Sequence, residues 1–214
     1  MSKSLGVLYV ATEADPFAKT GSLAELAGKL PKTVKSLGHD IRVMLPGYGF
    51  INNRRFQIHN LLRMKDIEIP MEGGTERAYI KSSYLNGENH KVQVYFIAND
   101  RYFNREGLYY HPETKKYFTD NDERFIFFCR GVLETLKRLG WQPKIIHCND
   151  WHTGALVSLI NADQSVLTVL YLMSPIAISR STSSPPFIKG GRIILYGSQI
   201  VRKKVGCRVI PRDI

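Results

Sequence analysis

Apolar residues run almost unbroken along Leu5–Glu13 (LGVLYVATE) until Asp15-Pro16, which predicts a strand buried on both faces. After a loop from Phe17 to Gly21 the period changes. Leu23, Leu26, Leu30, Val34 and Leu37 recur every three or four positions, predicting an amphipathic helix stopped by Gly38. Ser22 and Glu25 stand at the Ser-x-x-Glu spacing of a capping box, and Pro31 inside the helix is expected to kink it. Ile41–Leu45 reads as the next buried strand, ended by Pro46-Gly47. Strand, loop, helix and strand in that order predict a βαβ unit and hence a parallel sheet.

The pattern then shifts. Ile67–Pro70, Arg77–Tyr84 and Val92–Ile97 read as strands, and Asn86-Gly87 is a hairpin signal between the last two. Residues 99–118, rich in Tyr, Phe, Asn and Gly, read as a long loop of the kind that carries function. A second helix is predicted from Asp120 to Leu139, with Phe125, Phe128, Val132, Leu133 and Leu136 on its apolar face and Gly140 at its end. Lys144–Cys148 is another strand, and Thr153–Ile160 a short helix. After about Asn161 the alternation fades into a Ser/Thr run, Pro185-Pro186 and Gly190-Gly191. Apolar pieces such as Ile193–Tyr196 do not continue it.

Charge sharpens that boundary. The 214 residues carry a formal net charge of +11, and residues 163–214 hold eight Lys/Arg against two Asp/Glu. More than half of the excess thus sits in the last quarter of the chain, as in tails that bind nucleic acid or membranes. No nucleic-acid motif accompanies it, and the aromatics do not interleave with the basic run, so nucleic acid is not an expected partner. Three cysteines, Cys129, Cys148 and Cys207, are odd in number and form no CxxC pair. This argues against a disulfide framework or a cysteine zinc site and for a reducing, cytoplasmic setting. No signal peptide is drawn at the N-terminus. The longest uncharged apolar stretch, Ser165–Ser179, falls short of the roughly 20 residues of a membrane helix, so no membrane association is expected.

Two constellations could carry chemistry. Lys19-Thr20-Gly21-Ser22 lies between a parallel strand and the start of its crossover helix. Free amides and the helix dipole there attract an anion, Gly21 lets the backbone come close, and Lys19 adds a full charge. On spacing alone, Gly21 merely making the turn and Lys19 merely being solvated is an equally good reading. His147-Cys148-Asn149-Asp150-Trp151-His152 stands at the C-terminal end of a strand, where open α/β sheets bind ligands. His147 and Cys148 face opposite sides of that strand and cannot share a metal. A neutral His152 offering a hydrogen bond to a polar ligand is the favoured role, against mere packing of the loop by Trp151 and His152. A third run, Thr119 to Phe125, opens a helix with Asp120, Asn121, Asp122 and Glu123, and structural capping is the better reading of it.

In this order these residues resemble the N-terminal domain of bacterial and plant-type glycogen/starch synthases. The match runs through Val7-Leu8-Tyr9-Val10-Ala11-Thr12-Glu13, Pro16-Phe17, Lys19 to Glu25, Leu30-Pro31, and Leu37 to Val43 with Leu45-Pro46. It continues with Thr119-Asp120-Asn121, Arg124-Phe125 and His147 to Gly154, covering roughly residues 5–160. The resemblance implies an α/β fold: a Rossmann-like, mostly parallel sheet with helices on both faces, the N-terminal half of a GT-B glycosyltransferase. To this the sequence adds an irregular C-terminal tail.

The implied activity is retaining transfer of glucose from ADP-glucose to the non-reducing end of an α-1,4-glucan, with no metal and no cofactor. The resemblance implies that Lys19 and the Gly21 and Ser22 amides contact the donor's diphosphate, and that His152, as the catalytic candidate, contacts the glucosyl group. Glu25, Asp120, Asn121 and Asp150 are further candidates.

Three departures from the family pattern stand out. Ser22 replaces a second glycine, Glu25 stands where Asp is usual, and no counterpart of the second domain follows. The expected division is a synthase domain at 1–161 and a divergent basic tail at 162–214, read as foreign sequence from a frameshift or an insertion. That tail is not expected to pack as the family's domain does. Half of the site would then be missing, so catalysis by this chain alone is not expected. The alternative reading is a non-catalytic module binding glucan or nucleotide sugar, with Tyr102, Phe103, Tyr109, Tyr110, Tyr117 and Phe118 stacking on sugars or, more plainly, covering the core. The sequence says nothing of oligomeric state.

Overall fold

The computed structural model describes residues 4–160, 167–172 and 193–197. Nine strands form one sheet: β1 (Gly6–Val10), β2 (Asp40–Pro46), β3 (His59–Asn60), β4 (Ile67–Met71), β5 (Gly74–Asn86), β6 (Lys91–Ala98), β7 (Ile145–Asn149), β8 (Leu167–Leu172) and β9 (Ile193–Gly197). Their order is β3-β5-β6-β2-β1-β7-β8-β9, with β4 paired to β5. From β6 through β9 every neighbouring pair is parallel. The hairpin at Asn86-Gly87 joins β5 antiparallel to β6, and β3 and β4 pair antiparallel with β5.

The helices are α1 (Ser22–Ser36), α2 (Asp100–Phe103), α3 (Asn121–Leu139) and α4 (Gly154–Ile160). The chain leaves β1 through α1 toward β2 on one side, and reaches β7 on the other side of β1 through α3. Right-handed crossovers in opposite directions put α1 and α3 on opposite faces of the sheet. Successive residues of β1 confirm that both faces are covered: Leu8, Tyr9 and Val10 are all fully buried. Gly131 brings α3 onto β6 and β4, because a Cβ there would meet Ile97 at 2.9 Å and Ile69 at 4.0 Å.

Several expectations change. Gly21, not Ser22, is the N-cap of α1, in an extended conformation and without a side-chain bond, so the capping box does not form. Pro31 sits within α1, which runs on to Ser36, with Gly38 left-handed at φ 89°. Asp120 caps α3 by position only; its carboxylate bonds Arg105 instead. The loop over 99–118 contains α2, capped by the Asn99 side chain, which accepts from the Tyr102 amide at 2.9 Å. The irregular tail contains two parallel strands, β8 and β9, at the sheet's edge. The rest of that tail, with its Ser/Thr and Pro-Pro runs, lies outside the described residues.

Candidate functional site

β1 and β7 are adjacent, and the chain departs from them in opposite directions. Their C-terminal ends form a topological switch point, the place where open α/β sheets leave a crevice. A cleft of about 250 Å³ opens there, lined by Glu13, Gly21, Ser22 and Leu23 on the β1 side. Asp150, Trp151 and His152 line the β7 side, and Tyr109, Tyr110 and Tyr117 come from the long loop before α3. Two constellations more than a hundred residues apart in sequence thus share one cavity.

The β1 side is held by a carboxylate to which the sequence assigned no role. Glu13 is 3% exposed. Its Oε2 accepts from the Thr20 amide at 2.6 Å, and both its oxygens accept from Thr20 Oγ1 at 2.9 Å. Tyr109 Oη donates to Glu13 Oε1 at 3.1 Å, and Thr12 Oγ1 lies 2.8 Å from the same hydroxyl. Tyr48 Oη in turn donates to the Thr12 carbonyl at 2.9 Å. A buried carboxylate is stable only with such donors, and here they fold the Lys19–Gly21 loop over the strand end. The signal was a lone acidic residue closing an otherwise apolar strand.

Gly21 has φ −164°, extended backbone that any residue adopts, and a Cβ there would meet nothing within 4 Å. Neither the backbone nor a neighbour demands glycine; the space it leaves belongs to the cleft. Lys19 does not line the cleft. Its ammonium pairs with Glu25 at 2.8 Å, with both side chains about half exposed, 46% and 49%. The hydrogen bond to Glu25 raises the Lys19 pKa, and the same bond lowers that of Glu25.

On the β7 side, Asn149 is fully buried and ties the two strands together: Tyr9 Oη donates to its Oδ1 and its Nδ2 donates to the Val10 carbonyl, each at 2.9 Å. Asp150 follows at φ 61° and ψ 175°, a backbone region costing an L-residue on the order of 1–3 kcal/mol. Its carboxylate accepts from the Trp151 amide at 2.8 Å. This turn aims Trp151 and His152 into the cleft. The His152 ring lies between Trp151 (centroids 3.9 Å, 29°) and Tyr109 (4.5 Å, 23°), with Phe125 edge-on at 4.6 Å. Burial, and secondarily the charge of Arg124, pushes its pKa down to about 3, so the imidazole is neutral at physiological pH. Its Nδ1 is buried with no hydrogen-bond partner among the described residues.

Asp120 and Asn121 stand behind the cleft rather than in its lining. Arg105 bonds both Asp120 oxygens at 2.9 Å; burial would raise the Asp120 pKa, but these bonds outweigh it and the net shift is downward. Asn121 Nδ2 donates to the Tyr109 carbonyl at 2.9 Å, and its Oδ1 accepts from Arg124. Arg124 is fully buried; it donates to the Tyr102 and Leu108 carbonyls at 2.8 and 3.0 Å and lies over the Phe118 ring at 5.1 Å. Together these groups shape the aromatic loop. Tyr102 and Phe103 belong to the core with no exposure, so they do not stack on sugars, whereas Tyr110, Tyr117 and Trp151 keep 53%, 42% and 37% of their surface. Cys148 is buried, with a thiol pKa pushed well up by burial and by Cys129. Among the described residues no group of three or more His, Cys, Asp or Glu side chains gathers at metal-ligand spacing, and no helix is long and apolar enough to cross a membrane.

Comparisons with known proteins agree with this architecture. The family model described as starch synthase catalytic domain matches residues 6–171. The glycogen synthase of Chlorobaculum tepidum is 44% identical over 158 residues, 74% of this chain and 32% of that protein. The glycogen synthase of Chlorobium limicola is 41% identical over 158 residues, with the same coverage of 74% and 32%. The chain therefore spans about a third of the length of these relatives. Among solved structures, the catalytic domain of starch synthase IV from Arabidopsis thaliana, bound to ADP and acarbose, superposes with a TM-score of 0.66 at 24% identity over 80% of this chain and 34% of that one. That likeness establishes the fold, a mostly parallel sheet of the GT-B glycosyltransferase type. With more than half of its length matched by the family model, the chain belongs to the starch synthase catalytic domain family.

Proposed function

We propose that this domain forms the acceptor-side half of a glucosyltransferase that moves glucose from ADP-glucose to the non-reducing end of an α-1,4-glucan. The observation that carries the reading is the cleft at the switch point, whose lining brings Gly21 and Ser22 together with His152. As the bond between the glucosyl C1 and the diphosphate oxygen breaks, the electron pair stays on the diphosphate, and donors placed there stabilise the growing charge. The N-terminus of α1 offers its free amides for this. Lys19 swings from Glu25 to add a full charge, because an exposed ion pair is weak enough to exchange. His152, neutral and desolvated, is no proton donor at physiological pH; it orients the glucosyl group by a hydrogen bond. Glu13 holds the loop that carries Lys19 and Gly21. Asp150 positions His152, while Asp120 and Asn121 brace the aromatic loop. Turnover needs a second domain facing the cleft, because one wall alone cannot exclude water or fix the donor.

Titration calorimetry of the chain with ADP and ADP-glucose tests this. The expected result is saturable binding, weakened about tenfold or more by Lys19→Ala, the loss of one charge-assisted contact. Absence of binding, or binding indifferent to Lys19→Ala, overturns it.

Tyr110, Tyr117 and Trp151 favour a second reading, a glucan-binding module: three exposed rings line the same cleft, with Tyr110 and Tyr117 edge to face at 5.2 Å. Maltoheptaose binding that persists without ADP and after Lys19→Ala would select it. Both β8 and the family match run past residue 161, so we place any change of sequence origin after β8.

A further inference from the structure

A second cavity, of about 430 Å³, lies along the flank of α1 and shares no lining residue with the first. Four cations converge on it from three chain segments: Lys29 and Lys32 from α1, Arg55 from the loop after β2, and Lys91 from the first residue of β6. Asp15 is the one carboxylate in its lining. Among the described residues none of the four cations has a carboxylate within ion-pair distance. The contrast on the same helix is direct, since Lys35 does pair, with Asp40 at 3.8 Å. Four cations gathered about the one carboxylate of Asp15 leave an excess of positive charge that destabilises a fold, and such a local conflict is expected where a ligand relieves it.

Flat apolar faces accompany the charges. Tyr84 is half exposed, with the Lys91 ammonium 5.8 Å from its ring. Phe56 carries the Arg55 guanidinium 5.1 Å from its ring and is buttressed edge-on by Phe17 at 5.2 Å. A bare phosphate would engage the cations but leave the rings unused. Small-molecule sites run from about 300 Å³ upward, so the groove admits a hexose with its charged group. Sugar C–H faces lie against aromatic rings, and a phosphate dianion accepts from lysine and arginine.

We propose that this groove binds a phosphate monoester carried on a hexose, at a site separate from the switch-point cleft. The ester can be a free sugar phosphate or a phosphate on a glucan chain. The test is calorimetry of the full chain at fixed ionic strength with glucose 6-phosphate, phosphorylated maltodextrin, inorganic phosphate and glucose.

The expected result is saturable binding of a phosphorylated probe, weaker binding of inorganic phosphate, and none of glucose. Preference for glucose 6-phosphate or for the maltodextrin identifies the source. The pair Lys32→Gln and Arg55→Gln is expected to weaken binding about tenfold or more, while ADP binding and the thermal midpoint stay unchanged. No binding of either phosphorylated probe, binding indifferent to the pair, equal binding of glucose, or competition by ADP overturns the proposal. The nucleotide-sugar reading fails separately: ADP binding would then be absent while glucose 6-phosphate still binds.

Discussion

Tyr109 donates its hydroxyl hydrogen to Glu13 Oε1 at 3.1 Å, joining the long loop before α3 to the end of β1 across 96 residues of chain. The same ring stacks on His152 at 4.5 Å, so one side chain touches both walls of the cleft. Removing its hydroxyl leaves the ring in place and takes one donor from a buried carboxylate. Tyr109→Phe is expected to cost about 1–3 kcal/mol in urea unfolding and to speed amide exchange at Thr20, whose N–H rests on Glu13. Unchanged exchange at Thr20 would show that Glu13 holds the loop without help from Tyr109.

Glu25 competes with the donor's diphosphate for Lys19. Glu25→Gln removes the charge of the 2.8 Å ion pair and leaves Lys19 free for a phosphate. ADP affinity is expected to rise about two- to fivefold, an exposed pair being weak, and the gain should vanish in the Lys19→Ala background. A loss of affinity in Glu25→Gln would mean that the pair orients Lys19 rather than withholding it.

His152 and His147 are pushed down to about 3 and about 4, the first by burial and then Arg124, the second by burial, from an ordinary value of 6.5. The unfolded chain therefore binds more protons than the folded one between those values and 6.5. Stability is fully present above about pH 6.5 and is lost as the pH falls through this window, by up to about 1.4 kcal/mol per pH unit for each ring. His152→Gln should flatten the urea-unfolding free energy between pH 4 and 6 by about one such slope. Parallel wild-type and variant curves would place the imidazole in a far more solvated setting.

Gly28 is where α1 meets the Asp15-Pro16 turn. A Cβ there would lie 2.5 Å from the Asp15 carbonyl oxygen, a backbone atom that cannot rotate away. Alanine improves helix propensity by about 1 kcal/mol, while overpacking costs about 1–3 kcal/mol. Gly28→Ala is expected to lower the thermal midpoint, and a raised midpoint would show that the turn yields.

Much of the frame was legible because it rests on short-range patterning. The strands read at 7–10, 41–45 and 145–148 pair in parallel, Asn86-Gly87 makes its hairpin, and Gly140 ends α3 left-handed at φ 59°. The misread details involve side chains with a choice of partner. Ser22 and Glu25 have capping-box spacing, but Glu25 is drawn to Lys19, and Asp120 has cap position, but Arg105 takes its carboxylate. Local spacing shows which partners are near along the chain; it is silent about a stronger charge arriving from another segment.

Residue patterning alone specifies a parallel α/β frame, a helix start carrying Lys19 and Gly21, and a strand end carrying His152. Burial of apolar residues and the limits on backbone connection leave few other ways to fold such a pattern. Three-dimensional packing settles that Glu13 is the clamp, that His152 lies desolvated between Trp151 and Tyr109, and that four cations with no ion pair among the described residues meet beside α1. Those facts depend on distances between segments far apart in the chain, and electrostatics and desolvation act through such distances rather than through neighbours in sequence.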